Sequence, residues 1–198
     1  MTRWEPDPRG RLEKAAMELY RERGFEQTTA AQIAERAGLT ERTFFRHFAD
    51  KREILFAGAT QLQDLVVSAV ASAPDSATPL EAAIAGIEAA SAMLEELRGR
   101  AFARQRQAIV AASPELRERE LDKLAALAAG VAGALRKRGV GDPGAALMGD
   151  IAIAIFRVSF ERWVARRSGP GLTELMGESM AELRALTAEE PLVVDAPA

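Results

Sequence analysis

An all-α chain of nine helices is what this sequence predicts, and three observations carry that expectation. Forty of its 198 residues are Ala, the strongest helix former and a weak strand former, against eight Phe and one Tyr. Apolar residues recur three and four positions apart, as in Leu12, Ala16 and Leu19, without the alternation of a strand. Helix punctuation is dense: Thr29, Thr40, Asp50 and Thr78 stand where N-caps belong, and Gly24, Gly38 and Gly139 where helices stop.

Taken in order, residues 1–8, with two Pro, read as an arm, and a first helix covers about Pro8–Arg23. Thr29-Ala30-Ala31-Gln32 is a capping box, in which the Thr side chain closes a free N–H and the Gln reaches back to the cap. The short helix it opens carries Ile33, Ala34 and Ala37 on one face and ends at Gly38, with Leu39 plugging the corner. Thr40 caps a second short helix, placing Phe44 and Phe48 on its inner face and Arg42, Thr43, Arg46 and His47 elsewhere. Asp50 with Glu53 opens a helix over 51–72 whose early apolar residues face one unit and whose later ones, Leu62, Leu65, Val66 and Ala69, face another. Thr78-Pro79-Leu80-Glu81 starts a helix to about Leu97, and further helices follow over 99–112, 114–138, 144–167 and 172–186, with a loose tail from 187. The domains expected are 1–50 and 51–198, with helix 51–72 bridging them.

Composition excludes several chemistries. Without Cys there is no disulfide framework, thiolate metal site or cysteine nucleophile, and a single His leaves no histidine-rich metal cluster. No metal, cofactor or catalytic residue is expected. No signal-peptide stretch is visible and the apolar run near Ile151 is too short to cross a bilayer, so a cytoplasmic protein is expected. Net charge is −3, yet residues 1–56 sum to +1 and the remainder to −4. DNA affinity needs cations at the contact surface, not a basic whole.

Two short helices joined by a Gly turn, the second carrying donors, form a helix-turn-helix, the unit that enters a DNA major groove. Three other patterns have a bland reading beside a sharper one. Gly139, Gly141 and Gly144 fit a dinucleotide fingerprint, but a basic helix precedes them, Pro143 interrupts them, and an interhelical loop is the better reading. The run Arg98, Arg100, Arg104, Arg106 reads as a solvated face, with the mouth of an anion-binding pocket as the alternative. Phe156, Phe160 and Trp163 form an aromatic stripe on a helix that is apolar almost all round, so it must touch two partners. The next helix offers Leu172, Leu175, Met176, Ser179, Met180 and Leu183, a stripe expected to form a dimer interface.

The segment from Phe25 to Phe48 resembles the DNA-binding domain of the TetR family of transcriptional regulators. The matching residues are Gly24-Phe25, Thr28-Thr29, Ile33-Ala34, Ala37-Gly38-Leu39, Arg42-Thr43, His47-Phe48 and Lys51. That resemblance implies a homodimer with a homeodomain-like three-helix N-terminal unit on DNA and a C-terminal helical domain for ligand binding and dimerisation. It implies base contacts from Arg42 and Thr43, with Glu41 as a further candidate, and phosphate contacts from Thr29, Phe45, His47 and Lys51. Thr40 and Arg46 complete the expected DNA-binding set. Position 45 is often Tyr in the family, and Phe45 has no hydroxyl to offer a phosphate.

The stretch from Arg104 to Trp163 is similar to an acyl-CoA-responsive branch. A mainly apolar pocket is expected, lined by Phe102, Ile109, Leu127, Phe156, Phe160 and Trp163, with Arg98, Arg100 or Arg104 at its rim for an anionic head group. The function expected is a repressor released from a palindromic operator by an amphipathic small molecule, with an acyl-CoA as the specific candidate. An enzyme carrying a helix-turn-helix, and a DNA-organising protein without an effector, are the rivals. The first lacks any paired catalytic motif in 73–198, and the second would show a filled C-terminal core.

Overall fold

The computed structural model describes residues 7–188. The expected N-terminal arm, apart from its last residues, and the tail from 189 lie outside the described residues. Among the described residues the structure is helical throughout, with no strand.

Helices α1 (Pro8–Arg23), α2 (Ala30–Arg36) and α3 (Glu41–His47) come first. The single helix expected over 51–72 is divided into α4 (Glu53–Phe56) and α5 (Ala59–Ala71). Gly58, at φ +87, marks the break, since a left-handed residue cannot continue an α-helix. Counting that pair as one, the nine expected helices are all present. The remainder are α6 (Pro79–Leu97), α7 (Gly99–Ala112), α8 (Pro114–Lys137), α9 (Gly144–Ala165) and α10 (Leu172–Thr187). The expected capping box of Thr29 with Gln32 forms, and a second joins Thr78 with Glu81 at the start of α6. Gly139 ends α8 and Gly144 begins α9, so the glycine fingerprint is an interhelical loop.

The stretch Glu53–Ala71, not the run near Ile151, is long and apolar enough to cross a membrane, with a mean hydropathy of 1.5. Its apolar residues have another use. Ile54, Leu55 and Phe56 are buried in one core, and Val66 and Val70 are buried farther on.

The chain divides into two compact units. The first joins residues up to Gln63 with Ala101–Ala126, and the second joins Asp64–Arg100 with residues from Leu127 on. The boundaries fall inside α5, α7 and α8, so the first unit is more than the three N-terminal helices. Its core combines Leu12, Leu19, Phe25, Ile33, Phe44, Phe48 and Phe56 with Ile109, Val110 and Leu116 from α7 and α8. Polar ties follow the same route: Gln105 Nε2 donates to the Met17 carbonyl at 2.9 Å, and Ser113 Oγ donates to Glu26 at 3.0 Å. Arg106 Nε donates to the Leu55 carbonyl at 2.7 Å, while its guanidinium covers the Phe56 ring and pairs with Glu120. Burial alone would raise the Glu120 carboxyl, but Lys123 and Arg106 outweigh it and hold it at about 2.

In the second unit α6, α9 and α10 pack against one another around Ile87, Ile153, Trp163, Leu172, Leu175 and Met176. Small residues set the approach of α8 and α9: a Cβ on Gly149 would stand 2.5 Å from the Ala128 carbonyl oxygen.

Candidate nucleic-acid interface

The turn between α2 and α3 is closed from three sides. Leu39 N–H donates to the Ala34 carbonyl at 2.8 Å and Gly38 N–H to the Glu35 carbonyl at 2.9 Å, the double bond pattern of a left-handed helix stop at Gly38, φ +64. From α1, Arg11 Nη2 donates to the Ala37 carbonyl and reaches the Gly38 carbonyl at 3.4 Å. Thr40 then opens α3, its Oγ1 accepting the Thr43 N–H at 3.2 Å. Beneath, Phe44 and Phe48 are fully buried, with ring centres 5.8 Å apart. These contacts fix which face of α3 looks outward.

That face is continuous. Glu41, Arg42, Phe45 and Arg46 are exposed, while Thr43 and His47 lie at its half-buried edges. Phe45 is 54% exposed and meets Phe44 edge to face at 5.2 Å. Arg42 and Arg46 stand one turn apart, so both guanidinium groups serve one surface. His47 Nε2 is buried without an acceptor among the described residues. At the start of α2, Thr29 Oγ1 is the exposed cap, accepting the Gln32 N–H at 3.2 Å.

Lys51 departs from expectation. Its ammonium does not face outward but donates to the carbonyls of Phe25 at 2.8 Å, Thr28 at 2.9 Å and Glu26 at 3.4 Å. An ammonium has three N–H bonds, and all three go to the loop before α2. Lys51 is therefore a clasp that positions Thr29. Around it, Tyr20 Oη donates to the Lys51 carbonyl at 2.6 Å, and burial pushes that phenol's pKa well up. Burial works to raise the neighbouring Asp50 carboxyl, but hydrogen bonds from Arg52 and from the Glu53 and Arg52 N–H groups hold it below its usual range. Arg11 is one of the cations the sequence offers to this surface, but the contact it makes, like those of Tyr20, Gln105 and Arg106, is not readable from the sequence. The carbonyls they bond lie 26 to 88 residues away, and no local pattern announces them.

Residues 12–57 match the bacterial regulatory proteins of the tetR family, and residues 77–188 match the MftR C-terminal domain. The chain belongs to the tetR family. Among curated relatives, the HTH-type transcriptional regulator TcmR of Streptomyces glaucescens is 38% identical over 74 residues. That match covers 37% of this chain and 33% of TcmR, so the chain spans about a third of that relative's length. FadR of Thermus thermophilus, a TetR-family repressor solved with lauroyl-CoA, is 27% identical with a TM-score of 0.52, over 96% of this chain and 98% of that one. FadR of Bacillus subtilis, solved with stearoyl-CoA, has a TM-score of 0.62 over 88% of this chain and 96% of that one; at 20% identity the likeness is one of fold.

As a TetR-family protein the chain carries both the family's DNA-binding domain and a C-terminal domain of the MftR type. The residues expected to line one pocket are divided between the units of this TetR-family fold. Phe102, Arg104 and Ile109 belong to the first, where Ile109 is part of the core and Phe102 packs against it. Leu127, Phe156, Phe160 and Trp163 belong to the second, where the three aromatic rings meet in sequence as tilted pairs at 5.5 and 5.9 Å.

The stripe expected at a dimer interface also needs correction. Leu172, Leu175 and Met176 are fully buried and Met180 nearly so, within a single chain. They hold α10 to its own unit and have no surface left for a partner. Ser179 is half-buried and bonded to Ser159 Oγ at 2.9 Å, leaving Leu183 as the half-buried member near the surface. Besides Leu97 at the end of α6 and Leu186 near the end of α10, the unit leaves apolar residues uncovered along α9: Leu147 at 54% and Val158 at 53%, with Ala154 exposed and Ile151 half-buried between them. Their 4-3-4 spacing makes one stripe along the helix.

Proposed function

We propose that this protein is a dimeric repressor that places α3 in the major groove of a palindromic operator and is released by an amphipathic small molecule. The observation that carries the reading is the outward face of α3. Arg42 and Arg46 stand one turn apart on a helix whose cap, turn and inner face are fixed by Thr40, Arg11, Phe44 and Phe48. Arg42, on the first turn, suits a bidentate contact to a guanine edge, with Thr43 and Glu41 beside it. Arg46, His47 and the capping Thr29 suit phosphates, and Phe45 offers an apolar contact to the backbone or a thymine methyl. Such a protein works where DNA is, in the cytoplasm.

Two recognition helices are needed for a palindrome, and the stripe Leu147, Ile151, Ala154, Val158 is the face on which two copies would meet. Their α3 helices would then be about 34–36 Å apart, or a multiple of that, to reach successive major-groove faces. Likeness over nearly the whole chain to a FadR solved with lauroyl-CoA supports an acyl-CoA as the effector class. A ligand that moves the population from 1:99 to 99:1 must favour the DNA-incompetent state by about 5.5 kcal/mol. The run from Glu53 to Ala71 leads from the first unit into the second and is the covalent route for that shift.

The test is a fluorescence-anisotropy selection of bound sequences from a random DNA pool, followed by titration of lauroyl-CoA and stearoyl-CoA into the complex. An enriched palindrome that is released at one chain length supports the whole reading. An enriched palindrome that no acyl-CoA releases removes that effector class, and binding without sequence preference favours a DNA-organising role.

A further inference from the structure

Two buried donors in the second unit have no acceptor, and they belong to one stacked pair. Trp163 on α9 is 1% exposed, and its indole Nε1 makes no hydrogen bond. Arg100, at the start of α7, lays its guanidinium over that indole, with Cζ 5.5 Å from the ring centre. Its Nη2 is occupied by the carbonyls of Gly169, at 3.0 Å, and Pro170. Its Nη1 is buried and empty-handed. Those carbonyls and the indole are its partners among the described residues, and no carboxylate is one of them.

Folded proteins rarely leave one such donor unsatisfied, because the group has lost its water and gained nothing in return. Here one of two neighbouring orphans carries a full positive charge. A neutral acceptor would satisfy the hydrogen bonds but bring no charge to the half-buried guanidinium. A carboxylate answers both needs, with two oxygens and a negative charge. Beyond Trp163, the half-buried rings of Phe160 and Phe156 continue the stack along α9, an apolar path for whatever bears the carboxylate.

We propose that Trp163 Nε1 and Arg100 Nη1 form the receptor for the carboxylate of an apolar ligand, whose body lies along Phe160 and Phe156. The site rests on the reading of the second unit as the effector domain and specifies its chemistry: a free acid binds here, in preference to its alcohol. An acyl-CoA would reach it only by its thioester carbonyl, which brings no charge to Arg100.

The chain has two Trp, at positions 4 and 163, so Trp4→Phe leaves Trp163 as the sole reporter. The full-length Trp4→Phe protein, labelled with 15N-indole tryptophan, is titrated with laurate, dodecanol and lauroyl-CoA while the indole N–H resonance is followed. Laurate is expected to shift that resonance to saturation and to bind at least about tenfold more tightly than dodecanol. Arg100→Gln should remove most of that preference and leave dodecanol unchanged. An unmoved resonance with laurate, or equal affinity for laurate and dodecanol, overturns the site without relying on any variant at Arg100. Operator release by lauroyl-CoA is measured in parallel. Release with the indole unmoved by laurate overturns the carboxylate site alone, whereas a moved indole without release supports the site and removes the acyl-CoA effector.

Discussion

Lys51 Nζ lies 4.2 Å from the centre of the Phe25 ring and donates to the carbonyl of the same residue at 2.8 Å. One cation thus holds both the ring and the backbone of the loop that delivers Thr29. That arrangement separates two residues which a reading of basic side chains near a DNA-binding helix would treat alike.

Arg42→Ala removes an exposed side chain with no role in packing. It should leave the melting temperature unchanged, cost about 1–3 kcal/mol of operator binding and relax preference at one base pair. Lys51→Met should instead lower the melting temperature and weaken every DNA sequence together, because three carbonyls lose their donor. Melting curves and binding to permuted operators measured on both variants decide this. An unaltered melting temperature for Lys51→Met would show that the clasp is dispensable.

Gly38→Ala puts a Cβ at φ +64 and 2.9 Å from Arg11 Nη2. Left-handed strain and the displaced Arg11 should together cost about 1–2 kcal/mol of stability. Denaturant titration should show the loss, and combining the change with Arg11→Ala should bring less than the sum of the two.

Glu120 supplies an acid-dependent term. Its folded pKa, about 2, lies below the ordinary carboxylate value of 4.5, so the stabilisation is present above that ordinary value and is lost as pH falls towards 2. Glu120→Gln should therefore be markedly less stable than the parent at pH 7, with the difference shrinking to nothing near pH 2. A constant difference across that range would mean that packing, not charge, is what the substitution disturbs.

Val158→Glu places a charge on the exposed α9 stripe and should yield a folded monomer by sedimentation. Leu175→Glu places one in a fully buried site and should unfold the second unit instead. A dimer that persists in Val158→Glu would move the interface elsewhere.

The contrast between Leu175 and Val158 also shows where a sequence stops being legible. Periodicity marks an apolar face and says nothing about which neighbour covers it. Leu172, Leu175 and Met176 looked available for a second copy because α6, which buries them together with the preceding α9, is far away along the chain. The caps at Thr29, Thr40 and Thr78, the stop at Gly38 and the inward Phe44 and Phe48 were readable because each is decided within one turn of helix. Lys51 lies between these cases. Its position suggests a DNA contact, and only the folded loop at 25–28 shows three carbonyls waiting for it. Gly58 was visible as a residue, but a glycine within a helical pattern is often tolerated, and nothing local marks its positive φ.

Because α7 and the first half of α8 complete the core beneath the DNA-reading helices, the N-terminal module is not a detachable cassette. A chimaera that joined residues 1–56 to another regulator's effector domain would leave Phe56 and Leu55 facing foreign side chains where Ile109, Val110, Leu116 and Arg106 now stand. Exchange between such regulators therefore has to carry two separated stretches of sequence together. The surface that reads DNA can diverge residue by residue, while the seam beneath it can change only in matched pairs.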